Sequence, residues 1–144
     1  MRGKRIYFED VNVNDKIPEL VMSNLNRTQF VKYAGASGDF NPIHHDQTFA
    51  EASGFKTVFA MGMLSMGYLS RILTDYFGVG NVTKFGVRFA AMTWPGDNIT
   101  CKGIITKKYS DGARNLVDLD VFCENQKGEK TLIGSATACL PQKG

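Results

Sequence analysis

At 144 residues the chain has the length of one domain, 1–144, and enough residues to bury a core. Its 17 Lys and Arg against 14 Asp and Glu leave a formal charge of +3, too small and too mixed to point to nucleic acid as a partner. No run approaches the ~20 apolar residues that cross a bilayer and no apolar leader opens the chain, so a soluble cytoplasmic protein is expected, with no membrane partner.

Residues Met1 to Met22 carry short apolar pieces broken by Asn14-Asp15, which predicts an irregular segment and then a strand; the basic cluster Arg2, Lys4 and Arg5 opens it. Asn26 is placed to cap a helix with Gln29 as its capping-box partner, and Phe30, Val31 and Ala34 are expected on one face. That helix should end near Ser37-Gly38. Asp46 then caps a short helix through Ala52, with Gly54 at its exit.

From Met61 the chain reads MGMLSMGYLS and continues to Gly78. Its first ten residues carry no charge and have apolar groups all round, which predicts a core helix buried on every side. Gly62 and Gly67 each cost such a helix about 1 kcal/mol against Ala, so something is expected to approach its backbone there: a strand at Gly67, a strand or a ligand at Gly62. Beyond Gly78 the pattern alternates. Phe85, Val87 and Phe89 interleave with Lys84 and Arg88, and turns are expected at Pro95-Gly96-Asp97, Ser110-Asp111-Gly112 and Asn125 to Glu129. Cys101, Cys123 and Cys139 fall in strand-like runs without metal spacing and are expected as buried free thiols of a reducing compartment. One buried helix followed by a strand meander predicts an α+β fold, a curved antiparallel sheet wrapped around a long central helix.

The loop Gly38-Asp39-Phe40-Asn41-Pro42-Ile43-His44 carries the chemistry. Pro42 cannot continue the preceding helix and drives Asn41 toward an extended conformation, so Asp39 and His44 sit on a bend. Fully extended they would lie about 17 Å apart at ~3.4 Å per residue, whereas a turn brings them to one small volume. A carboxyl and an imidazole so placed can handle one water as acid and base; they can equally be a turn cap and its neighbour. His45 and Asp46 follow, but two histidines without a downstream ligand do not make a metal site.

The run from Ala34 to His44, followed by Gly62-Met63-Leu64, Val87-Arg88-Phe89 and Pro95-Gly96-Asp97, resembles the hydratase 2 motif of the MaoC-like dehydratases, the R-specific enoyl-thioester hydratases. The resemblance implies the hot-dog fold for residues Asn26 to Leu140. It also implies reversible R-specific hydration of an enoyl thioester, or dehydration of a 3-hydroxyacyl thioester, carried on CoA or on acyl carrier protein, without a cofactor. By the same resemblance Asp39 and His44 are the catalytic pair, Asn41 orients the loop or the water, and the Gly62 N–H donates to the thioester oxygen. Ser70 aligns with a supporting serine; a hydroxyl bonded to its own helix is the other reading. Lys107-Lys108 reads as a contact to a CoA phosphate or an acidic carrier, or as an exposed strand end.

Relatives often have His immediately before the glycine, where this chain has Met61. The substitution changes either the pocket or the activity, and it keeps open a second reading, a non-catalytic acyl-binding hot-dog subunit of a heteromeric dehydratase. A hot-dog thioesterase shares the fold, but the Asp39 to His44 motif does not suit attack on a thioester carbonyl. The family pairs its domains, so a homodimer or a heterodimer with another hot-dog subunit is expected. Met61, Met63, Met66 and Met92 would suit an adaptable acyl pocket.

Overall fold

The computed structural model describes residues 5–144; of the N-terminal basic cluster, Arg2 and Lys4 lie outside the described residues. The elements are β1 (Leu20–Met22), α1 (Arg27–Ser37), α2 (Gln47–Ala52), α3 (Gly62–Phe77), β2 (Val82–Phe89), β3 (Ile99–Asp111), β4 (Arg114–Asn125) and β5 (Lys130–Leu140), with 3-10 turns at Phe8–Asp10 and Pro42–His44. Every strand pairing is antiparallel, in the order β1-β3-β4-β5-β2. The sheet curls around α3, which touches all five strands. This is the hot-dog fold.

The helix ends follow the local chemistry. Asn26 Oδ1 accepts from the amides of Thr28 and Gln29 while Gln29 Oε1 accepts from Asn26 N, a complete capping box, and Gly38 closes α1 at φ 74°. Phe30 and Ala34 are buried as expected, but Val31 is 59% exposed and does not share their face. One residue on from Phe30 the helix has turned by about 100°, enough to carry Val31 off a narrow buried stripe.

Burial of α3 on every side does not hold. Met63, Gly67, Arg71 and Asp75 form an exposed stripe at four-residue steps, while Leu64, Ser65, Leu69, Ile72, Leu73 and Phe77 enter the core. The sheet covers the helix from one side only, so even the uncharged first half keeps an open face. The expected strand contact at Gly67 is absent: a Cβ there would meet nothing within 4 Å. Gly62 is the crowded one, with a Cβ falling 2.6 Å from two ring atoms of Phe89.

Cys101 and Cys123 are buried directly opposite one another on β3 and β4, sulfurs 3.4 Å apart, whereas Cys139 on β5 is only half-buried. The hydrogen bond with Cys101, reinforced by burial, pushes the Cys123 thiol far above its ordinary range. Lys107 and Lys108 lie on β3 just past a register shift; Lys108 Nζ donates to the Val11 carbonyl at 2.9 Å.

β2 and β5 approach each other closely at one glycine. At Gly134, opposite Val87, a Cβ would fall 2.1 Å from the Gly86 carbonyl oxygen and 2.9 Å from Val87 Cα. At Gly103 it would meet only the tip of Ile17, at 2.9 Å. Gly134→Ala should therefore cost about 1–3 kcal/mol by forcing backbone apart, and Gly103→Ala distinctly less, because Ile17 can shift. Urea unfolding of both variants checks the order; equal losses would show that the strands yield as easily as a side chain.

Candidate active site

The bend at Pro42 brings the two motif side chains together. Gly38 releases the chain from α1, the Asp39 amide donates to Ser37 Oγ at 3.2 Å, and Asp39 Oδ1 accepts from the Asn41 amide at 3.3 Å. Asn41 Oδ1 in turn accepts from Ile43 N at 3.2 Å and caps the 3-10 turn in which Pro42 occupies the first position. The oxygen of the Asn41 side chain is thus engaged in shaping the loop. The turn ends on His44, which is buried, and points it inward.

His44 Nδ1 lies 2.7 Å from the Phe59 carbonyl oxygen. A carbonyl only accepts, so Nδ1 carries the hydrogen, and in the neutral ring Nε2 holds the lone pair. Nε2 is 3.8 Å from Asp39 Oδ2, too far for a direct hydrogen bond and close enough for both to reach one small group between them. The imidazole is stacked edge-on against Phe59, at 5.1 Å and 82°, and Phe59 packs on Trp94 at 5.8 Å. The second histidine is turned away: His45 Nε2 lies 3.2 Å from the Phe40 carbonyl oxygen.

The segment bonded to His44 leads straight into α3. Phe59 is held by His44, Ala60 N donates to the Thr93 carbonyl at 2.9 Å, and Met61 stands at the N-cap position. No side chain caps this helix and its first turn has no acidic residue. The first amides of a helix have no partner within it, so Gly62 presents an N–H at the positive end of the dipole.

That helix end opens on a cavity of about 400 Å³. Asp39 and Gly62 line it, with an otherwise mostly apolar wall from the loop before α3, the first turn of α3, the exit of β2 and the start of β5. The wall has two tiers. Met61, Ser65, Thr131 and Leu132 are buried at its inner side, while Met63, Phe89 and Met92 stand 39–53% exposed at its rim. Met61, Met63 and Met92 therefore border the cavity as expected, whereas Met66 packs against the core.

Of the residues singled out in the sequence, Asp39 and Gly62 line the cavity; His44 is not among its lining residues and stands behind Asp39 at 3.8 Å, while the Asn41 amide donates to Asp39. Ser70 is not among the lining residues: its hydroxyl donates to the Gly67 carbonyl of its own helix at 2.8 Å. Sequence reasoning missed the Phe59 carbonyl, whose role depends on the fold alone, and the wall residues Ser65, Thr93, Thr131 and Leu132. These have no chemical mark beyond small hydroxyls in apolar runs. Phe89 was visible only as the last member of an alternating strand.

The chain matches known proteins along nearly all its length. It is 34% identical over 141 residues to the 3-hydroxybutyryl-CoA dehydratase of Methylorubrum extorquens, covering 96% of this chain and 86% of that protein. It is 29% identical over 140 residues to the (R)-specific enoyl-CoA hydratase of Rhodospirillum rubrum, covering 96% and 94%. Some relatives are much longer: this chain spans 14% of the 32%-identical peroxisomal hydratase-dehydrogenase-epimerase of Saccharomyces cerevisiae. Among solved structures, the unliganded R-hydratase PhaJ1 from Pseudomonas aeruginosa superposes with a TM-score of 0.83 at 28% identity, over 96% of this chain and 88% of that one. The family model described as MaoC like domain matches residues 10–120, and with the Methylorubrum relative it establishes that the chain belongs to the MaoC-like dehydratase family.

Proposed function

We propose that the protein is a hydro-lyase that adds water to a 2-enoyl thioester, or removes it from the (R)-3-hydroxyacyl thioester. The observation that carries this reading is the pairing of His44 Nε2 with Asp39 Oδ2 at 3.8 Å, beside an uncapped helix N-terminus at the wall of an apolar cavity. The names of the relatives above agree with it in reaction, and those of the Rhodospirillum hydratase and PhaJ1 agree in hand.

In this reading an enoyl chain lies in the cavity with its thioester oxygen on the Gly62 N–H. His44 Nε2 takes one proton from a water as its oxygen bonds to the β-carbon, and the electron pair of the double bond moves through the α-carbon onto the thioester oxygen. The helix N-terminus meets that negative charge; a donor of this kind is worth about 3–4 kcal/mol in the transition state. The proton then reaches the α-carbon from the imidazolium, directly or relayed through Asp39 across the short gap between them. One hydroxyl and one hydrogen have been added, and both side chains are restored. Asn41 keeps Asp39 in place through its amide. CoA is the thioester carrier we favour, as the Rhodospirillum and Methylorubrum relatives, covered over 94% and 86% of their length, are named for CoA substrates.

We further infer that the chain works as a pair. Among the described residues β2 is an eight-residue strand bonded on one side only, to β5, and such an edge is normally covered. The partner is a second copy or another hot-dog subunit.

Purified protein mixed with crotonyl-CoA should bleach the enoyl-thioester absorbance and give (R)-3-hydroxybutyryl-CoA on chiral analysis. Asp39→Asn and His44→Ala should each lower kcat by about 10²–10⁴-fold. A wild type silent on short and medium enoyl thioesters, alone or with a co-expressed hot-dog subunit, would leave only the non-catalytic acyl-binding reading. Light scattering should give twice the 15.9 kDa of one chain; a single-chain mass would exclude self-pairing and direct the search to a different subunit.

A further inference from the structure

The Phe89 ring occupies a position that the reaction does not explain. Phe89 ends β2, opposite the cavity residue Leu132 on β5, and its ring rests on Gly62, where a Cβ would lie 2.6 Å from Cδ1 and Cε1. Helical Cα–Cβ bonds tilt toward the helix N-terminus, the end from which the unpaired N–H groups also project. The ring therefore stands at the same end of α3 as the Gly62 donor. It is 52% exposed, on the strand that ends the sheet among the described residues. The other two rim side chains, Met63 and Met92, are unbranched and adaptable; Phe89 is the one rigid plate among the three.

We propose that Phe89 is a specificity-determining residue that sets the width of the acyl group admitted beside Gly62. This rests on the hydratase reading above. A linear acyl chain has the same cross-section at every length, and close to that of a linear thioester arm, so a plate at the rim does not measure length. It measures branching: the ring fills the space over the Gly62 Cα, so a methyl branch one carbon beyond the double bond must pass, and then sit, beside the ring on its cavity side. Depth is set separately by Met61, Ser65, Thr131 and Leu132 on the inner wall. Glycine at 62 then serves two ends, leaving room for the thioester and for the ring.

The test uses isomeric substrates of equal carbon number, trans-2-hexenoyl-CoA and trans-4-methyl-2-pentenoyl-CoA, with crotonyl-CoA as the short linear reference, on the protein in its native assembly. Phe89→Ala should raise the branched-to-linear ratio of kcat/KM by at least tenfold. It should leave the hexenoyl-to-crotonyl ratio within threefold, and Phe89→Leu should fall between Ala and wild type. Circular dichroism melts establish that the variants fold, and because the readout is a ratio, partial loss of active protein cancels. A branched-to-linear ratio that moves by less than tenfold in Phe89→Ala, or an equal shift in the hexenoyl-to-crotonyl ratio, would overturn the proposal. A wild type inactive on all three substrates would instead defeat the hydratase reading, before any variant is made.

Discussion

The hydrogen bond from His44 Nδ1 to the Phe59 carbonyl is the interaction on which the site depends. It fixes the tautomer, and so makes Nε2 the available base in the neutral ring. It ties the 3-10 turn Pro42–His44 to the segment that leads into α3, so the His44 ring and the helix N-terminus are held at a constant separation. It also strengthens when the imidazole becomes charged, because a cationic donor bonds a carbonyl more tightly than a neutral one. One contact thus orients the imidazole and sets its distance from the first turn of α3. Its surroundings protect it: Phe59 packs on Phe55 and Trp94, which keeps this side of the ring away from water.

The second determinant is the one-sided cover of α3. A helix enclosed by sheet on all sides would leave no place for a substrate at its first turn. Here the sheet takes the stripe through Leu64, Leu69 and Leu73, and the four-residue series beginning at Met63 stays open. The cavity lies where that open stripe meets the helix N-terminus, with the exit of β2 at its rim and the start of β5 on its inner side. Apolar packing and access to the polar helix end are thereby separated along a single element, the packing on one face and the access on another.

Much of this was legible from residue types. Asn26 and Gln29, Asp46, Pro42 and the turn glycines announce themselves because capping and turn geometry are local, decided within three or four residues. The five-residue spacing of Asp39 and His44 was informative for the same reason: a proline between them leaves few conformations. What was not legible depends on partners distant in sequence. Nothing near residue 59 marks its carbonyl as the acceptor for residue 44, and nothing in GYLS distinguishes the open position of Gly67 from a packed one. The two glycines of α3 were read alike as sites of close approach, but only Gly62 is approached, because only the first turn faces the end of β2. Val31 illustrates the same limit, since an apolar residue type does not say which edge of a narrow buried stripe it falls on.

The position of β2 in the sheet has a consequence for the order in which the molecule can be built. β2 is bonded only to β5, the last strand of the chain, some fifty residues further on. While the chain is being synthesised, α1, the Asp39 loop and α3 emerge long before the strand that supplies Thr131 and Leu132, and β3 can pair with β4 while β2 still has nothing to hold it. The Asp39 loop and the first turn of α3 are thus present early in a nascent chain whose cavity is incomplete. Completion of the sheet at residues 130–140 closes the wall and sets Phe89 against Gly62, so the cavity arrives with the final strand.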